Sequence, residues 1–159
     1  YAATVDDEDA ALAKKKWRSL VQKRASGRLM VYAGRSEPVQ GGQRLVYIHQ
    51  LVCPCPPGFE PDHIDGDGLN NRRGNLRVAS SSMNKANSAP RGGISRYKGV
   101  SFRKLNKRRP WVVHINLHHK RRYVGAFAKE ANAAAAYNFA AADLFGDFAR
   151  FNLAKEAEV

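Results

Sequence analysis

The alternation of apolar and polar positions divides the chain into short elements of changing period. After Asp6, Asp7, Glu8 and Asp9, the run Ala10-Ala11-Leu12-Ala13-Lys14-Lys15-Lys16-Trp17 predicts a short helix. Acids in its first turn and lysines in its last suit the helix dipole. Apolar-rich runs from Ser19 to Gln22, Leu29 to Tyr32 and Leu45 to Leu51 are set apart by Ala25-Ser26-Gly27 and Gln40-Gly41-Gly42. They predict strands of a small antiparallel sheet. Pro54, Pro56, Pro57 and Gly58 then break the chain. Further on, Leu76-Arg77-Val78 alternates as a short strand, and Ser80-Ser81-Ser82 can cap a helix holding Met83 to Asn87.

Pro90-Arg91-Gly92-Gly93 reads as a linker, and a second block follows it. Lys98 to Arg103, Trp111 to Leu117 and Arg121 to Phe127 are strand-like. In the middle run Trp111, Val113, Ile115 and Leu117 share one face, and Val112, His114 and Asn116 the other. Period two with one apolar face predicts a sheet covered on one side. The expected cover is the Ala-rich helix from Lys129 to Phe145, with Tyr137, Phe139 and Leu144 as its large apolar residues and Gly146 as its C-cap. The fold class is therefore α+β. The expected division is 1–89, a linker at 90–96, a second domain at 97–152 and a tail at 153–159.

Charge sharpens this picture. The 159 residues carry a formal net charge of +13, which points to a polyanionic partner because Lys and Arg release counterions when they neutralise phosphates. From Arg91 to Tyr123 there are eleven Lys and Arg and no acid, interleaved with Tyr97, Phe102, Trp111 and Tyr123. A nucleic-acid face is expected there. No stretch of about 18 apolar residues exists to span a bilayer. Cys53 and Cys55 have no second cysteine pair with which to hold zinc, and a disulfide across one residue would be strained. They read as ordinary loop cysteines. His118-His119 lie in the turn before Lys120 and should be exposed.

The candidate chemistry sits in PDHIDGDGLNNRRGNLRVASSSMNKANSA. Asn75 lies twelve residues after His63, and Asn84 nine after that. A neutral His63 can take a proton from water and so create a nucleophile. Asp62 supplies a carboxylate and Asn84 an amide oxygen, hard ligands suited to one Mg²⁺ or Mn²⁺ ion. Asn75 would bond to the loop backbone and hold the histidine. Asp65-Gly66-Asp67-Gly68 with Asn70-Asn71 could instead be a plain turn or a calcium loop, although the closing Glu of a calcium loop is lacking. His49 reads as a satisfied histidine at a strand end, with direct catalysis as the alternative.

This segment resembles the HNH homing endonucleases, in the ββα-metal branch whose last metal-binding position is Asn. The likeness rests on Asp62, His63, Asp65, Gly66, Asn70, Asn71, Arg72, Asn75, Leu76, Arg77, Asn84 and Asn87, with Val5 to Asp9, Trp17 and His49 upstream. It implies that His63 is the general base, Asp62 and Asn84 the metal ligands and Asn75 a structural member. Two positions depart from the pattern: Gln50, where relatives carry Arg, and Pro61, where they carry an aliphatic residue.

The second block, from about Tyr97 to Asn152, resembles the Apetala-two (ethylene-response-factor) type DNA-binding domain. It does so through Tyr97-Lys98-Gly99-Val100-Ser101-Phe102-Arg103, Trp111 to Ile115, Tyr123 to Phe127, Glu130 to Tyr137 and Ala149 to Asn152. The resemblance implies a three-stranded sheet laid in the major groove with a helix behind it. The matched contact positions are Lys98, Ser101, Arg103, His114, Asn116, Arg121 and Tyr123. Ser101 and Asn116 replace residues that are usually Arg, and His114 stands where Glu is common, so only the docking mode carries over. Together the two likenesses imply a metal-dependent DNA endonuclease that favours double-stranded DNA. The alternative is a catalytically silent descendant that binds nucleic acid, for example ribosomal RNA within an organellar ribonucleoprotein, after removal of an N-terminal segment.

Overall fold

The computed structural model describes residues 1–23, 27, 29–118 and 120–153. The expected turn at Ala25-Ser26, His119 and the tail from Ala154 onward lie outside the described residues. By backbone packing the chain forms two units that divide between Ser81 and Ser82.

In the first unit, a 3-10 turn at Asp7–Asp9 leads into α1 (Ala10–Ala13), the short helix expected there. The indole N–H of Trp17 donates to the Leu12 carbonyl at 2.8 Å, and the Arg35 guanidinium lies 5.1 Å from the centre of the Trp17 ring. Strands β1 (Arg18–Lys23), β2 (Leu29–Val39) and β3 (Gly42–Tyr47) form an antiparallel sheet in that order. β2 runs well past Tyr32 because Gly34 pairs with both neighbours, Arg18 on one side and Tyr47 on the other. A Cβ at Gly34 would overlap the Leu20 side chain, so glycine lets the two neighbours close over it.

The expected strand Leu45 to Leu51 is corrected by the structure. The chain leaves β3 at Tyr47 and enters α2 (Ile48–Val52). Ile48 and Val52, four residues apart, are both buried, a helical spacing. The Gln50 side-chain oxygen accepts from the Tyr47 N–H at 3.2 Å, which satisfies a donor at the helix start. The prolines that follow end it.

β4 (Phe59–His63) and β5 (Leu76–Ser80) form a two-stranded antiparallel sheet, with Asp62 opposite Arg77 and His63 opposite Leu76. The first unit buries few apolar side chains, among them Ala33, Val46, Ile48, Val52, Leu76 and Ala79. Asp9, Asp62, His63 and Asn71 are buried beside them. Much of its interior is polar, and in such an interior hydrogen-bond satisfaction decides stability.

The second unit begins with α3 (Ser81–Asn87), apart from Ser81 itself. β6 (Val100–Phe102), β7 (Trp111–Leu117) and β8 (Lys120–Phe127) form an antiparallel sheet with β7 in the middle, and α4 (Glu130–Phe145) covers one face. Val113, Ile115, Ala133, Tyr137, Ala141 and Phe145 make the core, with Val100 and Ala86. The helix residues recur every four positions, so one stripe of α4 faces the sheet. Phe139 lies off that stripe and is 81% exposed, against its expected place in the cover. Gly146 caps α4 with φ 51°, its N–H donating to Ala142. Gly99, at φ 75°, must be glycine on two counts: a Cβ there would also overlap the Tyr137 ring.

Two asparagines close this unit. Asn152 accepts from the Lys98 N–H at 2.7 Å and donates to the Lys98 carbonyl at 3.0 Å, while its backbone exchanges a pair of bonds with the Asn138 amide. α3 is packed into the same unit. Ala86 lies in its core, and the Lys98 ammonium donates to the carbonyls of Lys85 (2.9 Å), Ala86 and Ser88 (2.7 Å). A cation on the last carbonyls of a helix is favourably placed. Among the described residues no helix is long and apolar enough to cross a membrane.

Candidate active site and nucleic-acid face

The β4–β5 pairing dictates the first polar contact. Because Asp62 and Arg77 are register partners, the guanidinium reaches the carboxylate, its Nε and Nη2 donating to Asp62 Oδ2 at 2.9 and 2.8 Å. Asp62 is 3% exposed. A buried carboxylate needs such a partner.

His63, 7% exposed, ends β4. Its Nε2 lies 3.2 Å from Asn71 Oδ1. Burial lowers its pKa, opposed by the Asn71 hydrogen bond and by the charges of Asp65, Asp62 and Asp67. The lowered pKa favours the neutral ring, the state a general base requires. His49 stands against it, with ring centres 5.1 Å apart and planes nearly perpendicular. His49 also stacks on Tyr47, and Tyr32 borders both histidines. Contrary to expectation, His49 sits on α2 rather than at a strand end, and its buried Nδ1 has no hydrogen-bond partner. Burial, then the neighbouring His63, pushes its pKa down to about 4.

Asn75 closes the loop between the strands. Its carbonyl accepts from Ile64 N–H at 2.9 Å, its Oδ1 accepts from Asp65 N–H at 3.1 Å, and its Nδ2 donates to the Asn70 carbonyl and Asp65 Oδ1. Asp65 and Asp67 accept backbone N–H bonds from Asp67 and Leu69, at 2.7 and 3.0 Å. Burial alone would raise the Asp65 pKa, but the bonds from Asp67, Asn70 and Asn75 outweigh it and the pKa is lowered. Oxygens committed in this way describe a turn, stabilised by its own side chains. A Cβ at Gly68 would overlap the Val31 carbonyl and the Tyr32 ring, so this loop lies directly on β2.

An N-terminal strap grips the other end of the loop. Thr4 forms a parallel bridge with Asn70, and the Arg73 guanidinium makes two 2.8 Å bonds to the Asp9 carboxylate. Asn71, Arg77 and the Arg73–Asp9 pair received no role from sequence reasoning. The Arg77 pairing was open to inference from strand register, since two strands flanking a loop place Asp62 opposite it. The strap joins residues more than sixty positions apart and left no local signal.

Asp62 and Asn84 are the expected cation ligands. A carboxylate and an amide oxygen suit a hard divalent ion, and Asp62 meets the guanidinium through Oδ2. Asn84 lies on α3, which packs in the second unit. Cys53 and Cys55 are free thiols in the loop after α2.

On the second unit's sheet, His114 pairs with Tyr123 and Asn116 with Arg121 across β7 and β8. Arg121 Nη2 lies 3.0 Å from His114 Nδ1. Guanidinium only donates, so Nδ1 accepts and the neutral ring carries its proton on Nε2. Burial, with the charges of Arg121 and Arg103, lowers the His114 pKa. Asn116, Arg121, Arg103 and Tyr123 (64%) are exposed. Lys98 and Ser101 direct polar atoms to the protein, Lys98 to the end of α3 and Ser101 Oγ to the Val112 carbonyl at 3.3 Å. His118 is exposed, as expected.

His63 thus lies buried at the end of β4, next to the Arg77-paired carboxylate of Asp62. Residues 44–86 match the HNH endonuclease family, a span that contains His49, Asp62, His63, Asn75 and Asn84. The chain is also 33% identical over 109 residues to an uncharacterized HNH endonuclease of Acanthamoeba polyphaga mimivirus, a match covering 69% of this chain and 55% of that protein. The chain thus spans about half the length of this curated relative.

Proposed function

We propose that this protein is a metal-dependent DNA endonuclease of the HNH homing type, cleaving with the residues of the β4–β5 hairpin and α3 and docking with the β6–β8 sheet. The observation that supports this most directly is the buried His63 beside Asp62, in a loop braced by Asn75. His63 accepts a proton from the attacking water, whose oxygen bonds to phosphorus as the P–O3′ bond breaks. Asp62 and Asn84 would hold one Mg²⁺ or Mn²⁺ ion, which when bound supplies Lewis-acid polarisation of the phosphate and stabilises the departing oxygen. Arg103, His114, Asn116, Arg121 and Tyr123 supply phosphate and base contacts from the exposed sheet face, steadied from behind by Lys98 and Ser101.

The test is plasmid nicking with Mg²⁺ or Mn²⁺. Wild type should convert supercoiled DNA to open circles, and His63→Ala should bind with unchanged affinity and cut at least 100-fold more slowly. A wild-type protein that binds DNA but cuts none under either metal overturns the reading.

A further inference from the structure

Asn71 is fully buried (0% exposed), and every polar group of its side chain is committed. Its Nδ2 donates to the Leu69 carbonyl at 3.0 Å. A carbonyl can only accept, so the amide cannot be turned over, and Oδ1 must face His63 Nε2 at 3.2 Å. An amide oxygen also only accepts. Nε2 is therefore the protonated ring nitrogen, and in the neutral ring the basic lone pair lies on Nδ1.

Asn71 is in turn held by a distant segment. Its N–H donates to the Thr4 carbonyl at 2.8 Å, while the Thr4 N–H donates to the Leu69 carbonyl at 2.8 Å. Arg73, two residues on, donates its N–H to Asp6 Oδ2 at 2.8 Å and its guanidinium to Asp9. The chain of contact runs from Thr4 through the Asn71 amide to the imidazole, all inside the first unit.

We propose that Asn71 is the positioning residue of the His63 base, setting the orientation and proton placement of its ring, and that the Thr4 strap holds Asn71 in place. The catalytic consequence rests on the nuclease reading above. When Nδ1 takes the proton of the attacking water, the Nε2–H becomes a charged donor and its bond to Asn71 Oδ1 strengthens. The same amide thus orients the base before proton transfer and stabilises the imidazolium after it.

Two readouts test this separately. In the full chain at neutral pH, ¹H–¹⁵N correlation spectra of the imidazoles should show the His63 ring as the Nε2–H tautomer. Asn71→Leu should give a mixture of tautomers. Nicking by Asn71→Leu should fall about 10- to 100-fold in kcat with KM for DNA and its salt dependence unchanged, and Asn71→Asp, which keeps an acceptor, should retain the Nε2–H tautomer and recover part of the rate. Should Asn71→Leu fail to fold, Thr4→Pro decides: it removes the N–H and hydroxyl bonds from Thr4 to Leu69 and Asn70 at an exposed edge and should shift the tautomer and the rate in the same direction. A wild-type ring in the Nδ1–H form, or one unmoved by Asn71→Leu or Thr4→Pro, overturns the proposal. A protein that cuts no DNA yet loses its Nε2–H ring on Asn71→Leu supports the hold while sinking the nuclease reading.

Discussion

His63 and His49 touch, yet their environments set them different tasks. Burial lowers the His63 pKa below its ordinary 6.5, which favours the neutral ring that the proposed base requires. The acidic limb of the nicking rate, measured as kcat against pH, is expected to lie below 6.5. His49 carries a consequence for stability. Its folded pKa of about 4 is below the unfolded 6.5, so between those values the unfolded chain binds the extra proton. Its stabilising contribution is whole above pH 6.5, falls as pH drops toward 4, and is lost to the extent of about 3 kcal/mol. Urea unfolding at pH 7 and pH 4.5 should show this. In His49→Phe the difference should shrink, with stability at pH 7 unchanged or raised, because Phe removes an unpartnered buried nitrogen and keeps the ring contacts. Of these two residues sequence reasoning assigned a role only to His63. A histidine next to an aspartate announces chemistry, whereas the burial of His49 depends on Tyr32 and Tyr47 from other strands.

At the scale of the element, the β4–β5 hairpin carries a buried ion pair, and such pairs are most costly when broken on one side. Arg77→Met removes both guanidinium bonds to the buried Asp62 carboxylate and should destabilise the first unit by about 3–5 kcal/mol; denaturant titration of the full chain measures it, and a loss under 1 kcal/mol would show that the pair contributes little to the hairpin. Elements with a clean period were legible from sequence. β7 spans Trp111–Leu117 as its alternation predicts, and α4 lies within one residue of the expected start. The failures came where local signals conflicted. Leu45 to Leu51 is apolar enough for a strand, but Ile48 and Val52 bury on a helical spacing, and the Gln50 cap starts the helix at Ile48. The cover helix was foreseen but its face was not: Phe139, the more apolar ring, is exposed, while Tyr137 lies on the stripe with Ala133 and Ala141 and its hydroxyl pKa is pushed up to about 12 by burial.

For the whole molecule, the +13 charge is unevenly placed, with eleven of 27 Lys and Arg between Arg91 and Tyr123. DNA affinity should fall steeply with salt, and Arg121→Ala should lower the slope of log K against log salt by about 1. An unchanged slope in fluorescence anisotropy titrations would remove Arg121 from the footprint. A two-unit plan with its break at Pro90-Arg91-Gly92-Gly93 was expected, but the chain divides between Ser81 and Ser82. That α3 would fasten to the later unit was not expected, because its anchors, Lys98 and Ala86, are read from packing rather than from pattern.

The Thr4–Asp9 clasp on the hairpin loop has a consequence for synthesis and for engineering. Residues 4–9 leave the ribosome some sixty positions before the loop they latch, so these contacts cannot form until Arg73 emerges. On the proposed nuclease reading, a separate peptide bearing residues 1–10 should restore cutting to a chain that lacks them, a split reporter assembled by a ten-residue key.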